Sequence, residues 1–288
     1  MDKKLKTKNA AAKITTHLVN AVPQTVDGQI TWYYSGSLAI NLYASAKSMR
    51  FVTLDKNWRV VDFSNNTTPV HSDAKNYFTL GVRKISQDID LVAKSPSISN
   101  EMWSVANTKN LRTQFPDDIG ELCSYWATGK MTGAFLDILN DERTFNGHHI
   151  AELTLENGDK IYTLNPIDLL FHKISETIVA QGKDNTKYQK NLGDISSLLN
   201  ALSSMGLLDE NSFEQIVQIA GINGRESGIH KAFNKPEGEV LGKLETLQKD
   251  LNPLITEENK ETFNTVFEGL NTFATTYSSN SDITSIDD

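Results

Sequence analysis

Hydrophobic and polar positions alternate in several short segments of the first half of the chain. In the range 84–93, Ile89 and Leu91 alternate with Asp88 and Asp90, which is the two-residue period of a half-buried strand. Similar signals predict a strand at 133–139, a strand followed by a turn and a helix start within 31–42, and a β-hairpin at 149–164 around the turn dipeptide Asn157-Gly158. We therefore expect a mixed β-sheet in this half, with a helix at 10–22 before it.

The apolar period lengthens to three or four residues after Asn165-Pro166. Asn is a favourable N-cap and Pro is favoured in the first helical turn, so a helix is expected to begin there. Helices are predicted at 166–181, 188–205, 210–221, 238–251 and 260–277, with a linker at 222–237 and a disordered tail at 278–288. The predicted fold class is α+β, with a mixed-sheet domain at 1–164 and a C-terminal helical bundle at 165–288.

Composition narrows the class of protein. The 288 residues are 39% hydrophobic and 22% charged, which is typical of globular domains. No apolar run approaches the roughly 20 residues needed to cross a bilayer, and the first residues lack the apolar core of a signal peptide, so we expect a cytoplasmic protein without a membrane partner. The net charge of -8 argues against a general nucleic-acid coat.

Carboxylates on two predicted strands are the first candidate chemistry. Asp88 and Asp90 point to one face of their strand, where they could bind a hard cation such as Mg²⁺ or simply face solvent. Asp137 interrupts the apolar run 135–139 and needs a partner there. That partner is either Arg143 or the same cation, in which case Asp137 completes a triad for phosphoryl chemistry.

Two further features would suit a nucleotide. Gly36 and Ser37 follow an aromatic strand, and a glycine at a helix start allows a phosphate to approach free N–H groups, although an ordinary turn has the same sequence. Lys173 and Asp194 each lie on the apolar stripe of a predicted helix. They either form an ion pair with each other or project into a cleft, where Lys173 would meet a triphosphate.

Taken in order, Gly36-Ser37, Asp88-Ile89-Asp90 and Asp137 resemble the signature of the DNA polymerase β-like nucleotidyltransferase superfamily. The segments 165–173 and 190–194 are similar to the helical half of its AbiEii-type members, the toxins of abortive-infection and toxin–antitoxin systems. The resemblance covers about residues 30–205. It departs from the family in a long insertion at about 45–83, expected to form an extra hairpin beside the site, and at Asn191, where family members often have an acid.

The resemblance implies a nucleotidyltransferase domain at 1–164 whose active site also uses the helical domain. It implies that Gly36 and Ser37 position the nucleotide phosphates, that Asp88, Asp90 and Asp137 hold Mg²⁺, and that Lys173 and Asp194 belong to the active site. The expected activity is transfer of an NMP from an NTP to a tRNA or protein acceptor, in a toxin restrained by a cognate antitoxin. The alternatives are a small-molecule nucleotidyltransferase of the aminoglycoside-modifying kind and a non-catalytic nucleotide-binding module.

Overall fold

A computed structural model describes residues 18–55, 57–64, 66–80, 89–106, 136–140, 147–208 and 232–281. The chain divides into two compact units. The first is formed by the chain up to Thr68 and from Lys84 to Asn165, and the second by Pro69–Arg83 and the chain from Pro166 onward. The predicted insertion at 45–83 is therefore shared between the two units.

The first unit is a mixed sheet with helices. Its strands are β1 (Thr25–Val26), β2 (Gln29–Ile30), β3 (Trp32–Tyr34), β4 (Ala46–Leu54), β5 (Val60–Phe63), β6 (Thr68–Pro69), β7 (Ile89–Ala93), β8 (Leu136–Asn140), β9 (Gly147–Leu155) and β10 (Lys160–Leu164). Among its described residues are the helices α1 (Gly36–Ala44) and α3 (Pro96–Ala106). The helix between them in the chain, α2 (Ser72–Leu80), belongs to the second unit. The main sheet has the strand order β5-β4-β9-β10-β3-β7-β8.

Parallel and antiparallel pairs both occur in this sheet. β3 is antiparallel to β7 and parallel to β10, while β7 and β8 are parallel. The hairpin predicted at 149–164 is confirmed, because β9 and β10 pair antiparallel around Gly158, whose φ of 88° favours glycine. The strands predicted at 84–93 and 133–139 are confirmed by β7 and β8, although residues 84–88 and 133–135 lie outside the described part of the chain.

The predicted extra hairpin is confirmed by β4 and β5, and its expected place beside the site stays a prediction. β4 and β5 pair antiparallel, as the alternation in this segment indicates. In the strand order β9 and β10 lie between this pair and β3, while Trp58 in the turn of the hairpin contacts Tyr33 of β3, with ring centroids 5.6 Å apart. A hydrophobic alternation fixes which segments are strands, but the choice of neighbour depends on long-range pairing that the local pattern does not contain.

The second unit is helical in its described residues. It contains α2, α4 (Pro166–Ala180), α5 (Asn185–Ser204), α6 (Glu237–Leu251) and α7 (Lys260–Ser281). Four of the five helices predicted after residue 165 are confirmed, and the one at 210–221 lies outside the described residues. The prediction of a disordered tail from residue 278 is wrong as far as Ser281, because α7 continues to that residue.

The core of each unit follows from the burial of its apolar residues. In the first unit the consecutive aromatic residues Trp32, Tyr33 and Tyr34 of β3 are all buried. In the second unit α5 is buried on every side from Asn191 to Leu202, so it is the central helix. None of the described helices is long and apolar enough to cross a lipid bilayer.

Candidate functional site

The turn between β3 and α1 sets the geometry of the candidate site. β3 pairs with β7, with Tyr34 opposite Leu91, and the backbone N–H of Ser35 donates to the carbonyl of Asp90 at 2.9 Å. This hydrogen bond extends the strand pairing by one residue. The chain then enters α1 at Gly36 with a φ of 59°, a left-handed conformation that favours glycine.

Gly36 lies directly against the carboxylate of Asp90. A Cβ added to Gly36 would lie 1.8 Å from Oδ2 and 2.7 Å from Cγ of Asp90, so no side chain fits there. The backbone conformation and the close approach independently require glycine at this position. The first residue of α1 thus holds a carboxylate at the N-terminal end of the helix, where helix N–H groups and the helix dipole favour negative charge.

Ser37 follows Gly36 in the first turn of α1 and is 5% exposed. This turn contains no acidic residue, and the N-cap residue Ser35 makes no side-chain capping hydrogen bond to it. Neither the N-cap residue nor an acidic residue of the first turn therefore caps the N–H groups at the start of α1. The anionic group that lies against this turn is the carboxylate of Asp90, which comes from β7.

Asp90 is also in register with Asp137. β7 and β8 are parallel, and the backbone of Asp90 is opposite that of Asp137. Neighbouring strands are about 4.8 Å apart, so the two positions predicted as metal ligands are adjacent in the sheet. The third predicted ligand, Asp88, lies outside the described residues. Among the residues that the structure describes, no group of three or more His, Cys, Asp and Glu side chains could hold a metal ion.

Lys173 and Asp194 form a buried ion pair in the second unit. Nζ of Lys173 lies 3.3 Å from Oδ2 of Asp194, and the two side chains are only 9% and 6% exposed. Nζ of Lys173 is also 3.8 Å from the half-exposed carboxylate of Glu176, which in turn lies 3.9 Å from Nζ of Lys187. The mutual pair between α4 and α5 that the sequence left open is therefore present.

A second polar cluster, not singled out from the sequence, crosses three strands of the main sheet. Glu152 of β9 is 4% exposed and accepts hydrogen bonds at 2.9 Å from Arg50 of β4 and from the hydroxyl of Tyr162 of β10. Lys160 lies 3.3 Å from the same carboxylate. The signal in the sequence is an acid between the apolar residues 151 and 153, but its partners become apparent only once the strand register is known.

The environment of Glu152 favours its ionised form. Burial alone would raise the pKa of the carboxyl, but the hydrogen bonds from Arg50 and Tyr162 and the charges of Arg50 and Lys160 together hold that pKa below its ordinary value. Burial and the adjacent carboxylate raise the pKa of Tyr162 above its ordinary value. Both oxygens of Glu152 have protein donors, so this cluster is a cross-strand structural network.

The structure therefore groups the predicted site residues by unit. In the first unit it brings Gly36, Ser37 and Asp90 to the start of α1 and aligns Asp137 with Asp90. In the second unit it pairs Lys173 with Asp194. The chain matches no protein-family model, no curated protein and no solved structure.

Proposed function

We propose that this protein is a Mg²⁺-dependent nucleotidyltransferase that transfers an NMP from an NTP to a macromolecular acceptor, and that its mixed-sheet unit has the nucleotidyltransferase fold. The contact between Gly36 and the Asp90 carboxylate at the start of α1 is the observation that carries the proposal. It combines a glycine that admits no side chain, helix N–H groups and an acid in one place. Helix N–H groups favour a nucleotide phosphate and carboxylate oxygens favour a cation, so these features support the proposal.

The donor set fits the cation that this chemistry requires. Carboxylate oxygens are the protein ligands that Mg²⁺ prefers, and Asp90 and Asp137 occupy adjacent positions on parallel strands. We propose that these two residues and Asp88 hold Mg²⁺. When bound, the ion would neutralise charge on the phosphate oxygens.

The protein's own groups would then catalyse the transfer by positioning the reactants and by stabilising the charge that develops. An acceptor hydroxyl attacks the α-phosphorus in line, the new P–O bond forms as the bond to the β-phosphate oxygen breaks, and pyrophosphate leaves. In this proposal Asp90 or Asp137 helps to deprotonate the attacking hydroxyl. Gly36 and Ser37 would orient the phosphates through the N-terminal N–H groups of α1.

Lys173 supplies the positive charge in this proposal. Its ammonium is buried and held by Asp194 at 3.3 Å, so its position is fixed before a ligand binds. In the AbiEii-type proteins that the sequence resembles, the corresponding lysine and aspartate belong to the active site. We infer that Lys173 binds the phosphates and that Asp194 orients it.

The acceptor class rests on the resemblance. It favours tRNA or protein as the acceptor and a toxin restrained by an antitoxin as the biological setting. The net charge of -8 favours a second candidate, because an acidic protein suits a small cationic acceptor of the aminoglycoside kind. A non-catalytic module would bind nucleotide and transfer nothing.

The test is transfer of label from each α-labelled NTP, with Mg²⁺, into total RNA, total protein, the protein itself and a panel of aminoglycosides. Asp90→Asn should abolish transfer because it removes a proposed metal ligand. The matched control is Asp62→Asn, a change at an exposed position of β5 in the same sheet. Equal transfer by the Asp90→Asn variant would refute the site, and nucleotide binding without transfer would favour the binding module.

A further inference from the structure

The turn between β9 and β10 is held together by a side-chain amide. Asn157 is exposed, and its Oδ1 accepts a hydrogen bond from the backbone N–H of Asp159 at 3.0 Å. Its Nδ2 donates to Oδ2 of Asp159 at 2.6 Å. A carboxylate in place of this amide would have no proton to donate to Oδ2. The turn in this form therefore depends on the amide of Asn157.

The residue after Asn157 carries the atom that can displace this amide. The backbone nitrogen that follows an asparagine can attack the side-chain Cγ of that asparagine, and glycine hinders the attack least because it has no side chain. Gly158 is exposed, and a Cβ added to it would meet no atom of the described residues within 4 Å. The dipeptide thus contains both reacting atoms, in a turn that is open to water.

The closed turn opposes this attack. The N–H of Gly158 donates to the carbonyl of Leu155 at 2.9 Å, and the N–H of Leu155 donates to the carbonyl of Asp159 at 2.8 Å. A nitrogen whose proton is held in a hydrogen bond is a poor nucleophile, and Asp159 holds the amide of Asn157 in one orientation. The reaction therefore requires the turn to open, and exposed loop ends open at a small cost in free energy.

We propose that Asn157 is a site of spontaneous deamidation and that the reaction breaks the turn that its amide stabilises. When the turn opens, the nitrogen of Gly158 attacks Cγ of Asn157. The new N–Cγ bond forms, the bond from Cγ to Nδ2 breaks, and Nδ2 leaves as ammonia with the proton from Gly158. Water then opens the resulting succinimide at either carbonyl, which gives aspartate or isoaspartate at position 157.

The product cannot form the same closed turn. At neutral pH the new carboxylate would face the carboxylate of Asp159, to which the amide now donates at 2.6 Å, and like charges at such a distance repel each other. Isoaspartate also adds one atom to the backbone between the two strands. Deamidation should therefore loosen this end of the hairpin irreversibly.

The first experiment follows deamidation of the full chain at neutral pH, in buffer and in guanidinium chloride. Two further Asn-Gly dipeptides occur at 146–147 and 223–224, so proteolysis and mass spectrometry must locate the modified peptide. We expect the peptide with Asn157 to convert in both solutions, at least threefold more slowly in buffer. Conversion in buffer that is as fast as in guanidinium chloride would overturn the proposal. So would no detectable conversion in buffer once the denatured sample has reacted completely.

The second experiment tests whether the contact with Asp159 restrains the amide. Asp159→Ala removes the acceptor of Nδ2 and should raise the rate at Asn157 in buffer at least twofold, without changing the rate in guanidinium chloride. Asp62→Ala, at an exposed position of β5 in the same sheet, is the matched control and should change neither rate. An unchanged rate in buffer for Asp159→Ala would refute the restraint by Asp159.

The third experiment measures what the product does to the turn. Asn157→Asp reproduces one product, and amide hydrogen exchange at Leu155 and Gly158 reports whether the turn is open. We expect at least threefold faster exchange of these two protons in Asn157→Asp. The increase should be smaller when Asn157→Asp is combined with Asp159→Ala, because the facing carboxylate is then absent. Unchanged exchange in Asn157→Asp would refute the loosening of the hairpin.

Discussion

The close approach between Gly36 and Asp90 is a tight constraint at the scale of single residues. Gly36→Ala places a methyl group 1.8 Å from Oδ2 of Asp90 and requires a left-handed alanine. We expect a loss of about 2 to 5 kcal/mol in the free energy of unfolding, because the conformational penalty and the displacement of Asp90 add. Denaturant titration measures this loss.

Gly28 separates the two contributions. It has a φ of 73°, and an added Cβ would meet nothing within 4 Å. Gly28→Ala should therefore cost only the conformational penalty, about 1 to 2 kcal/mol. Equal costs for the two variants would show that the Asp90 carboxylate moves aside without penalty.

The sequence identified Gly36 as a residue whose backbone could approach a ligand, but it could not show that Asp90 is the group approached. That contact depends on the antiparallel pairing of β3 with β7, which joins segments far apart in the chain. Lys173 and Asp194 present the opposite case. A charged residue on the apolar stripe of a helix needs an oppositely charged partner, and two neighbouring helices offer few candidates for that partner. The sequence pattern therefore predicted the ion pair as one of two alternatives.

Individual elements depend on local capping, and α5 provides a clear test. The side chain of Asp184 accepts a hydrogen bond at 2.9 Å from the backbone N–H of Lys187 in the first turn. Asp184→Ala should lower the free energy of unfolding by about 1 kcal/mol, whereas Asp184→Asn should cost much less because it keeps the acceptor. Urea denaturation of both variants checks this, and equal losses would contradict the capping role.

The network around Glu152 predicts a pH dependence of stability at the scale of paired strands. Because its pKa in the folded protein is below the ordinary value of 4.5, its contribution is fully present above pH 4.5 and is lost as the pH falls through the lower folded-state pKa. Glu152→Gln should cost about 1 to 2 kcal/mol near pH 7, since Arg50 and Lys160 are partly exposed.

Thermal unfolding between pH 7 and pH 3 measures this effect. The difference between wild type and Glu152→Gln should be constant near neutral pH and should shrink below pH 4.5. Glu245→Gln, which removes one negative charge from an exposed position, is the control. If the difference in unfolding temperature between wild type and Glu152→Gln did not change with pH, the substitution would remove only packing or hydrogen bonds. Interactions that require a charged carboxylate would then not contribute.

Elements were predictable where local chemistry decides them. The Asn157-Gly158 turn and the Asn165-Pro166 helix start each contain their own signal, and both elements formed as expected. The start of α5 was predicted three residues late because the cap at Asp184 was not recognised. The helices α2 and α3 were not predicted, because their short segments contain few apolar positions among polar residues.

At the scale of the whole molecule, one helix departs from chain order. α2 lies between β6 and β7 in sequence but belongs to the second unit, where it packs against α5 with Ala74 and Phe78 buried. The hydroxyl of Tyr77 on the same helix donates to Glu258 at 2.7 Å. The assignment of α2 to the second unit could not be predicted from the sequence, because a local hydrophobic pattern does not indicate with which unit a segment packs.

A fragment of residues 166–288 should therefore be incomplete. Loss of the Phe78 contact alone is expected to cost about 3 to 5 kcal/mol, and the face of α5 that α2 covers would become exposed. Thermal unfolding of this fragment should be weakly cooperative. Fusing residues 69–83 to its N-terminus through a flexible Gly/Ser linker should restore a sharp transition, and an equally sharp transition without them would contradict the assignment.

The complete burial of α5 between Asn191 and Leu202 has a consequence for hydrogen exchange. A helix with no face toward water cannot expose its amide protons by fraying on one side, so those protons exchange only when the surrounding helices come apart. The slowest deuterium uptake in the second unit should therefore be found in the middle of α5. Its rate measures the free energy of opening the whole helical unit, in the intact chain and without any denaturant.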